Sequence, residues 1–119
     1  MSKTNLDAKF AAFDERWSPK IVAQVNDTQV KLAKVLGEFE WHRHDEADEL
    51  FLVHRGRLLL ERRGEEDVWL EPGELFVVPR GVEHRPVAPE EVELVLIEPA
   101  GTVNTGNLES ERTVEPEWI

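Results

Sequence analysis

Four side chains in this sequence have the types and spacing to hold a metal ion together: His42, His44, Glu49 and His84. His42 and His44 stand two apart in a segment that reads as extended, and an extended chain sends residues i and i+2 to the same face. Glu49 follows five residues after His44, at the start of the apolar run ELFLVHR. His84 lies far downstream, three residues beyond the turn Pro79-Arg80-Gly81. Neutral imidazoles with a carboxylate suit Fe, Mn, Zn, Ni or Cu, provided the strands that carry them are neighbours. His54 acts as a control. Along the run from Glu49, residues 49, 51 and 53 share one face and 50, 52 and 54 the other, so His54 points away from Glu49 and reads as surface or interface. Arg43 likewise faces away from His42 and His44. Phe51 and Val53 share the face of Glu49 and are candidate pocket walls.

The elements that must position these residues are short strands. KIVAQVN (20–26), TQVKLAKVL (28–36), ELFLVHR (49–55), RLLLERR (57–63), VWL (68–70), LFVVP (75–79) and VELVLIE (92–98) are rich in β-branched and aliphatic residues. Turn signals separate them at Asn26-Asp27, Gly56, Arg63-Gly64, Pro72-Gly73, Pro79-Arg80-Gly81 and Pro86 to Pro89. Many short strands with frequent turns predict an all-β barrel or sandwich. A short N-terminal helix precedes it: Thr4, Asn5 and Asp7 offer caps, Leu6, Phe10, Phe13 and Trp17 form a stripe over about three turns, and Pro19 stops it. The expected division is a helix docking on the barrel at 1–18, the barrel at 19–98 and a tail at 99–119. The tail, anchored by Val114, Trp118 and Ile119, is expected to wrap the surface or cross a dimer, with a mobile end.

Composition narrows the function. The chain has 119 residues, enough for one domain with a hydrophobic core of its own. It has no cysteine and no tyrosine, so disulfides, thiolate ligands, Cys nucleophiles and phenolic acids are excluded. A net charge of −11 disfavours nucleic-acid and anionic-membrane partners, which need a cationic footprint. No apolar run approaches the roughly 20 residues of a membrane span, and MSKTNLDAKF lacks the apolar stretch of a secretory signal. The location expected is cytoplasmic.

The glycines and prolines around the candidate ligands complete a pattern. Gly37, His42-Arg43-His44, Glu49 and Gly56, then Gly73, Pro79-Arg80-Gly81 and His84, resemble the two motifs of the cupin superfamily. Two positions depart: Gly37 stands four residues before His42 where the motif has five, and Ala88 occupies a position where it has Asn. The motifs span Gly37 to Ala88, and flanking strands extend the likeness to about Lys20–Glu98. The resemblance implies a double-stranded β-helix, or jelly-roll barrel, and a divalent transition metal (Fe, Mn, Zn or Ni) held by His42, His44, Glu49 and His84. It also implies a homodimer, for which Trp17, the strand Lys20–Asn26 and the tail with Trp118 are candidate contacts. The chain is similar as well to small cupins described as mannose-6-phosphate isomerase-like. A phosphosugar would want a cationic cradle, however, and Arg80 and Arg85 near His84 are opposed by Asp45, Glu46 and Asp48.

Four protein ligands leave about two positions open on an octahedral metal, unlike the closed tetrahedra of structural zinc. A divalent ion with one carboxylate keeps about one positive charge and favours small chelating anions such as enolates, hydroxy acids or catecholates. Two enzyme classes fit, a dioxygenase and an enolising isomerase. The second needs a general base, for which Glu38 and Glu40 share the parity of His42. The alternative is a protein that binds a small ligand through the metal without turnover. Because imidazoles must be neutral to coordinate, metal affinity is expected to decline below about pH 6.

Overall fold

The computed structural model describes residues 2–119, and Met1 lies outside the described residues. After α1 (Leu6–Phe10) come β1 (Lys20–Val25), β2 (Thr28–Glu38), β3 (Glu49–Arg55), β4 (Leu58–Arg62), β5 (Val68–Leu70), β6 (Leu75–Val78), β7 (His84–Pro99) and β8 (Glu117–Trp118). The fold is a jelly-roll β-barrel with a short helix, as the resemblance to the cupin motifs implies.

Its axis is β7, a 16-residue strand. One edge of β7 pairs antiparallel with β2 from Val87 to Pro99. The other edge pairs first with β4, Leu59↔Val87 to Arg62↔His84, and then with β3, Leu50↔Ile97 to Arg55↔Glu93. The turn expected at Pro86 to Pro89 is absent, and these residues lie inside β7. Pro86 pairs with Leu60 and Ala88 with Gly37, where the ladder shifts register. Ala88 is fully buried there. Gly56 joins β3 to β4 with φ +92°, and a Cβ at this position would come 2.8 Å from the Glu91 carbonyl oxygen of β7. Only glycine lets the hairpin pass so close to the strand it straddles.

Alternation decides what lies inside. In β3, Glu49, Phe51 and Val53 are buried and face inward, whereas Leu50, Leu52 and His54 face out. The inner core joins Val53, Leu58, Leu60, Val92 and Leu94, all at most 1% exposed. Each contributes on the order of 1.5–3 kcal/mol by leaving water.

The N-terminal segment departs from the expected three-turn helix. Asn5 caps α1 through a side-chain oxygen that accepts from the Ala8 N–H at 2.9 Å, but the helix ends after five residues. Phe10 and Phe13 still dock on the outer face of the barrel, with Val22, Leu32 and Val95. Trp17 leaves the stripe. β1 pairs only with residues 28–32, so the edge of β2 beyond them is open. The chain takes that edge: Arg16 bridges Lys34, and the Trp17 N–H donates to the Lys34 carbonyl at 2.9 Å. An unfilled sheet edge outweighs helix continuation here.

The tail wraps its own barrel. β8 pairs in parallel with β1, and buried Lys20 pairs with both Glu15 and Glu117. Thr105 is fully buried.

Candidate metal centre

His42 and His44 lie on the connection between β2 and β3, Glu49 opens β3, and His84 opens β7. The connection is largely irregular, and the two halves of the centre are laced together by main-chain hydrogen bonds. The His42 N–H donates to His84 (3.0 Å), the His84 N–H to His42 (2.8 Å), and the Gly81 N–H to the His44 carbonyl (2.8 Å). Backbone pairing thus sets the distance between the two motifs, and the side chains follow.

The four side chains converge. Their ligand-type atoms all lie within 4.8 Å of one another, and the residues are buried, with exposures of 3, 7, 4 and 1% in chain order. Glu49 Oε1 is 3.3 Å from His44 Nε2 and 3.4 Å from His84 Nε2. His42 Nδ1 lies 2.9 Å from the Glu40 carbonyl oxygen, and His84 Nδ1 lies 2.9 Å from that of Val82. A carbonyl only accepts, so both Nδ1 atoms carry the proton and both Nε2 atoms keep a lone pair. The Nε2 atoms of His44 and His84 are buried without a hydrogen-bond partner. Leaving such a group unmatched costs about 1–3 kcal/mol, and a cation among the four residues would satisfy both. On this test the side chains fit a divalent metal.

Electrostatics keep His42 and Glu49 in binding form. Burial, followed by the neighbouring His84, pushes the His42 imidazole down to about 4. The decline in affinity expected below about pH 6 therefore does not begin at His42. Burial works to raise the Glu49 carboxyl, but Glu98, His44 and His84 outweigh it and hold Glu49 well below the ordinary carboxylate range. Burial and then the Glu49 charge lift Glu98 well above its ordinary value, against the pull of Lys31.

Other expectations divide. His54 lies outside the centre, 2.7 Å from Asp7 of α1 and stacked on Phe10. Phe51 walls a cavity beside the site, whereas Val53 belongs to the core. Glu38 is exposed and pairs with Arg85 at 2.7 Å, and Glu40 accepts from the Ser110 hydroxyl at 2.7 Å, so neither lines the cavity. Arg80 pairs with Asp48, and Arg85 is shared between Glu38 and Glu61. Neither forms a phosphate cradle. Trp17 turns inward, stacked on Phe39 with ring centroids 4.7 Å apart.

The cavity beside His42 and Glu49 measures about 40 Å³, and Trp17, Val35, Phe39, Phe51, Leu94 and Leu96 supply much of its apolar wall. Asn104 of the tail forms part of its wall. A wider recess of about 420 Å³ lies on the other side of His44, between residues 45–47 and 99–103. The tail is pinned over this end by Arg112, which donates to the Glu38 carbonyl, and by Asn107, whose N–H donates to the Arg43 carbonyl and whose Oδ1 accepts from the Arg43 N–H. Gly106 makes the approach possible. A Cβ there would lie 2.2 Å from the Arg43 carbonyl oxygen and 3.1 Å from His42 Cδ2. Gly106→Ala is expected to lower stability by more than the ~1–2 kcal/mol of a left-handed alanine and to make residues 101–116 protease-sensitive. An unchanged melting temperature and digestion pattern would contradict this.

Sequence reasoning missed Lys31 and Glu98, buried beside Glu49, and Asn104 in the cavity wall. The signal for the first two was available. Lys31 shares parity with inward-facing Ala33 and Val35, and Glu98 with Leu94 and Leu96.

Fold and site together define a small jelly-roll barrel whose mouth gathers three imidazoles and a carboxylate able to hold a divalent metal. The chain belongs to the cupin domain family, whose model matches residues 29–98. A cupin-2 domain containing protein from Shewanella frigidimarina NCIMB 400 is 46% identical, with a TM-score of 0.78 over 81% of this chain and 93% of that one. Protein NMB1881 from Neisseria meningitidis is 32% identical, with a TM-score of 0.76 over 83% of this chain and all of that one. YdbB of Bacillus subtilis (strain 168) is 39% identical over 64 residues, which are 54% of this chain and only 57% of that protein. Among the described residues, no helix is long and apolar enough to cross a membrane.

Proposed function

We propose that His42, His44, Glu49 and His84 bind one divalent transition metal, and that the protein is a metalloenzyme acting on a small chelating organic anion. The observation that carries this reading is the pair of buried, unpartnered Nε2 atoms gathered within 3.4 Å of the Glu49 carboxylate. When bound, the metal supplies Lewis acidity and, if redox-active, the capacity for dioxygen chemistry. The protein's own part is to hold His42 and Glu49 deprotonated, to exclude water and to offer an apolar wall. Trp17, Phe39 and Phe51 favour a substrate with an oxygen donor at one end and a compact apolar body. At about 40 Å³ the cavity is narrow and favours a compact apolar group.

The paired arginines and the acidic residues 45, 46 and 48 weigh against a phosphosugar. A protein that binds such an anion without turnover is the second reading. It is favoured by the engagement of Glu38 with Arg85 and of Glu40 with Ser110, away from the cavity, which makes them poor candidates for the base.

The test is metal analysis of protein purified without added metal, followed by aerobic and anaerobic screens of chelating acids, enols and catechols. Oxygen consumption with a bound redox metal marks the dioxygenase route, and oxygen-independent turnover marks the isomerase. Ligand binding without turnover establishes the binder. No metal at equimolar level after reconstitution with Fe, Mn, Zn or Ni would end the proposal.

The proposal includes a homodimer. Trp17 is committed to the cavity, and β8 occupies the edge of β1, so both are poorer contacts than expected. Trp118 stays 58% exposed, and Leu75 and Val77 on β6, 56% and 43% exposed, add a further apolar patch. Leu75→Glu with Val77→Glu is expected to halve the molar mass seen by light scattering.

A further inference from the structure

Lys31 of β2 and Glu98 of β7 form an ion pair inside the barrel, Nζ to Oε2 at 2.8 Å, with side chains only 1% and 3% exposed. Lys31 Nζ also lies 3.5 Å from the Thr102 carbonyl oxygen of the tail. Glu98 lies beside Glu49, and both line a small cavity with Leu96, Thr102 and Asn104. Glu98 Oε1 is buried without a hydrogen-bond partner. No step of the proposed function uses this pair.

Such a pair is a poor way to stabilise a barrel. Desolvating both charges offsets most of their attraction, and apolar residues of similar volume often serve the fold as well or better. What the pair does have is a place. Glu49 lies between the imidazoles of His44 and His84 on one hand and Glu98 on the other. Lys31 in turn fixes Glu98 from a separate strand. Groups of this kind orient a metal's carboxylate and restrict its rotation before the ion arrives.

We propose that Lys31 and Glu98 are positioning residues that hold the Glu49 carboxylate in the orientation required by a bound metal. The inference rests on the reading of His42, His44, Glu49 and His84 as the metal site.

The experiment uses full-length protein stripped of metal and titrated with Co²⁺. Its readouts are affinity by calorimetry, the ligand-field spectrum of the bound ion, and the melting temperature of the metal-free form. Lys31→Met combined with Glu98→Leu fills the space with apolar atoms. This double variant should melt at or above the wild-type temperature, yet bind Co²⁺ about 10–100-fold more weakly with an altered spectrum. Glu98→Gln should stay within about threefold of wild type, because its amide oxygen still accepts from Lys31 while its N–H donates to Glu49. Glu98→Asp keeps the carboxyl group but withdraws it by one methylene. It should lose about tenfold in affinity, and it provides the test if the double variant does not fold.

Wild-type affinity and spectrum in the double variant, or in Glu98→Asp, would show that the pair only fills space and would overturn the inference. Loss of binding in Glu98→Gln equal to that in the double variant would overturn it too, since charge rather than position would then matter. If wild-type protein itself binds no Co²⁺, the metal-site reading fails first and takes this inference with it.

Discussion

Replacing His84 with alanine is expected to remove the metal and leave the barrel folded. The imidazole offers a buried Nε2 whose tautomer is fixed by the Val82 carbonyl, 2.9 Å from Nδ1. Losing an outer partner of a ligand already costs 10–100-fold in metal affinity, so losing the ligand itself should cost at least about 100-fold. The fold should survive because His84 joins the two motif segments through its main chain. Its bonds of 2.8 and 3.0 Å to His42 remain with alanine in place. The cavity left against Phe51, whose ring centre is 5.9 Å from that of His84, is offset in part by removal of an unsatisfied buried nitrogen. A net change within about 2 kcal/mol is expected. His54→Ala reverses the pattern. That side chain bonds Asp7 at 2.7 Å and stacks on Phe10, so its loss should loosen α1 at a cost of about 1 kcal/mol and leave metal content unchanged. Elemental analysis and thermal melts of both variants decide the matter. Equal metal retention in His84→Ala and wild type would remove His84 from the donor set.

These two histidines also show which features of the protein a sequence discloses. The alternation of ELFLVHR separates Glu49 from His54 without any coordinates, because a strand has period two and one face of it must be apolar. Placement of His84 needed the Pro79-Arg80-Gly81 bend, which is a local signal. Trp17 could not be placed that way. Its helical spacing is genuine, but the open edge of β2 competes for its backbone and turns the ring into the cavity. The prolines at 86 and 89 misled for a related reason. Proline breaks a strand only where its missing N–H is needed, and at the register shift opposite Gly37 the strand runs through. The tail is legible only as aperiodic, because its order comes from side-chain bonds to distant residues, Ser110 to Glu40 and Arg112 to Glu38. The Lys31–Glu98 pair lies between these extremes. Parity points both side chains inward, but their meeting depends on β2 and β7 being neighbours, which the sequence does not state.

Stability of the metal-free protein should respond to pH in a way that exposes Glu98. His42 titrates at about 4 in the fold, chiefly because it is buried, against 6.5 when unfolded. Between these values the unfolded chain binds more protons, so His42 makes stability rise with pH and fall as pH falls. From pH 4.5 to 6.5 its contribution is about 2 kcal/mol. Glu98 acts in the opposite sense. Burial and the Glu49 charge raise its value in the fold, so above its unfolded value of 4.5 the native state binds more protons and stability falls as pH rises. Glu49, held low, loses its contribution as pH falls below 4.5 and acts mainly outside this window. The opposing Glu98 term should make wild-type stability rise less steeply between pH 4.5 and 6.5 than His42 alone would. Glu98→Gln removes that term, so that variant should gain about 2 kcal/mol across the same interval. Urea unfolding of both proteins in the presence of a chelator measures the difference. Parallel profiles, or a variant that weakens as pH rises, would show that Glu98 does not retain its proton beside Glu49.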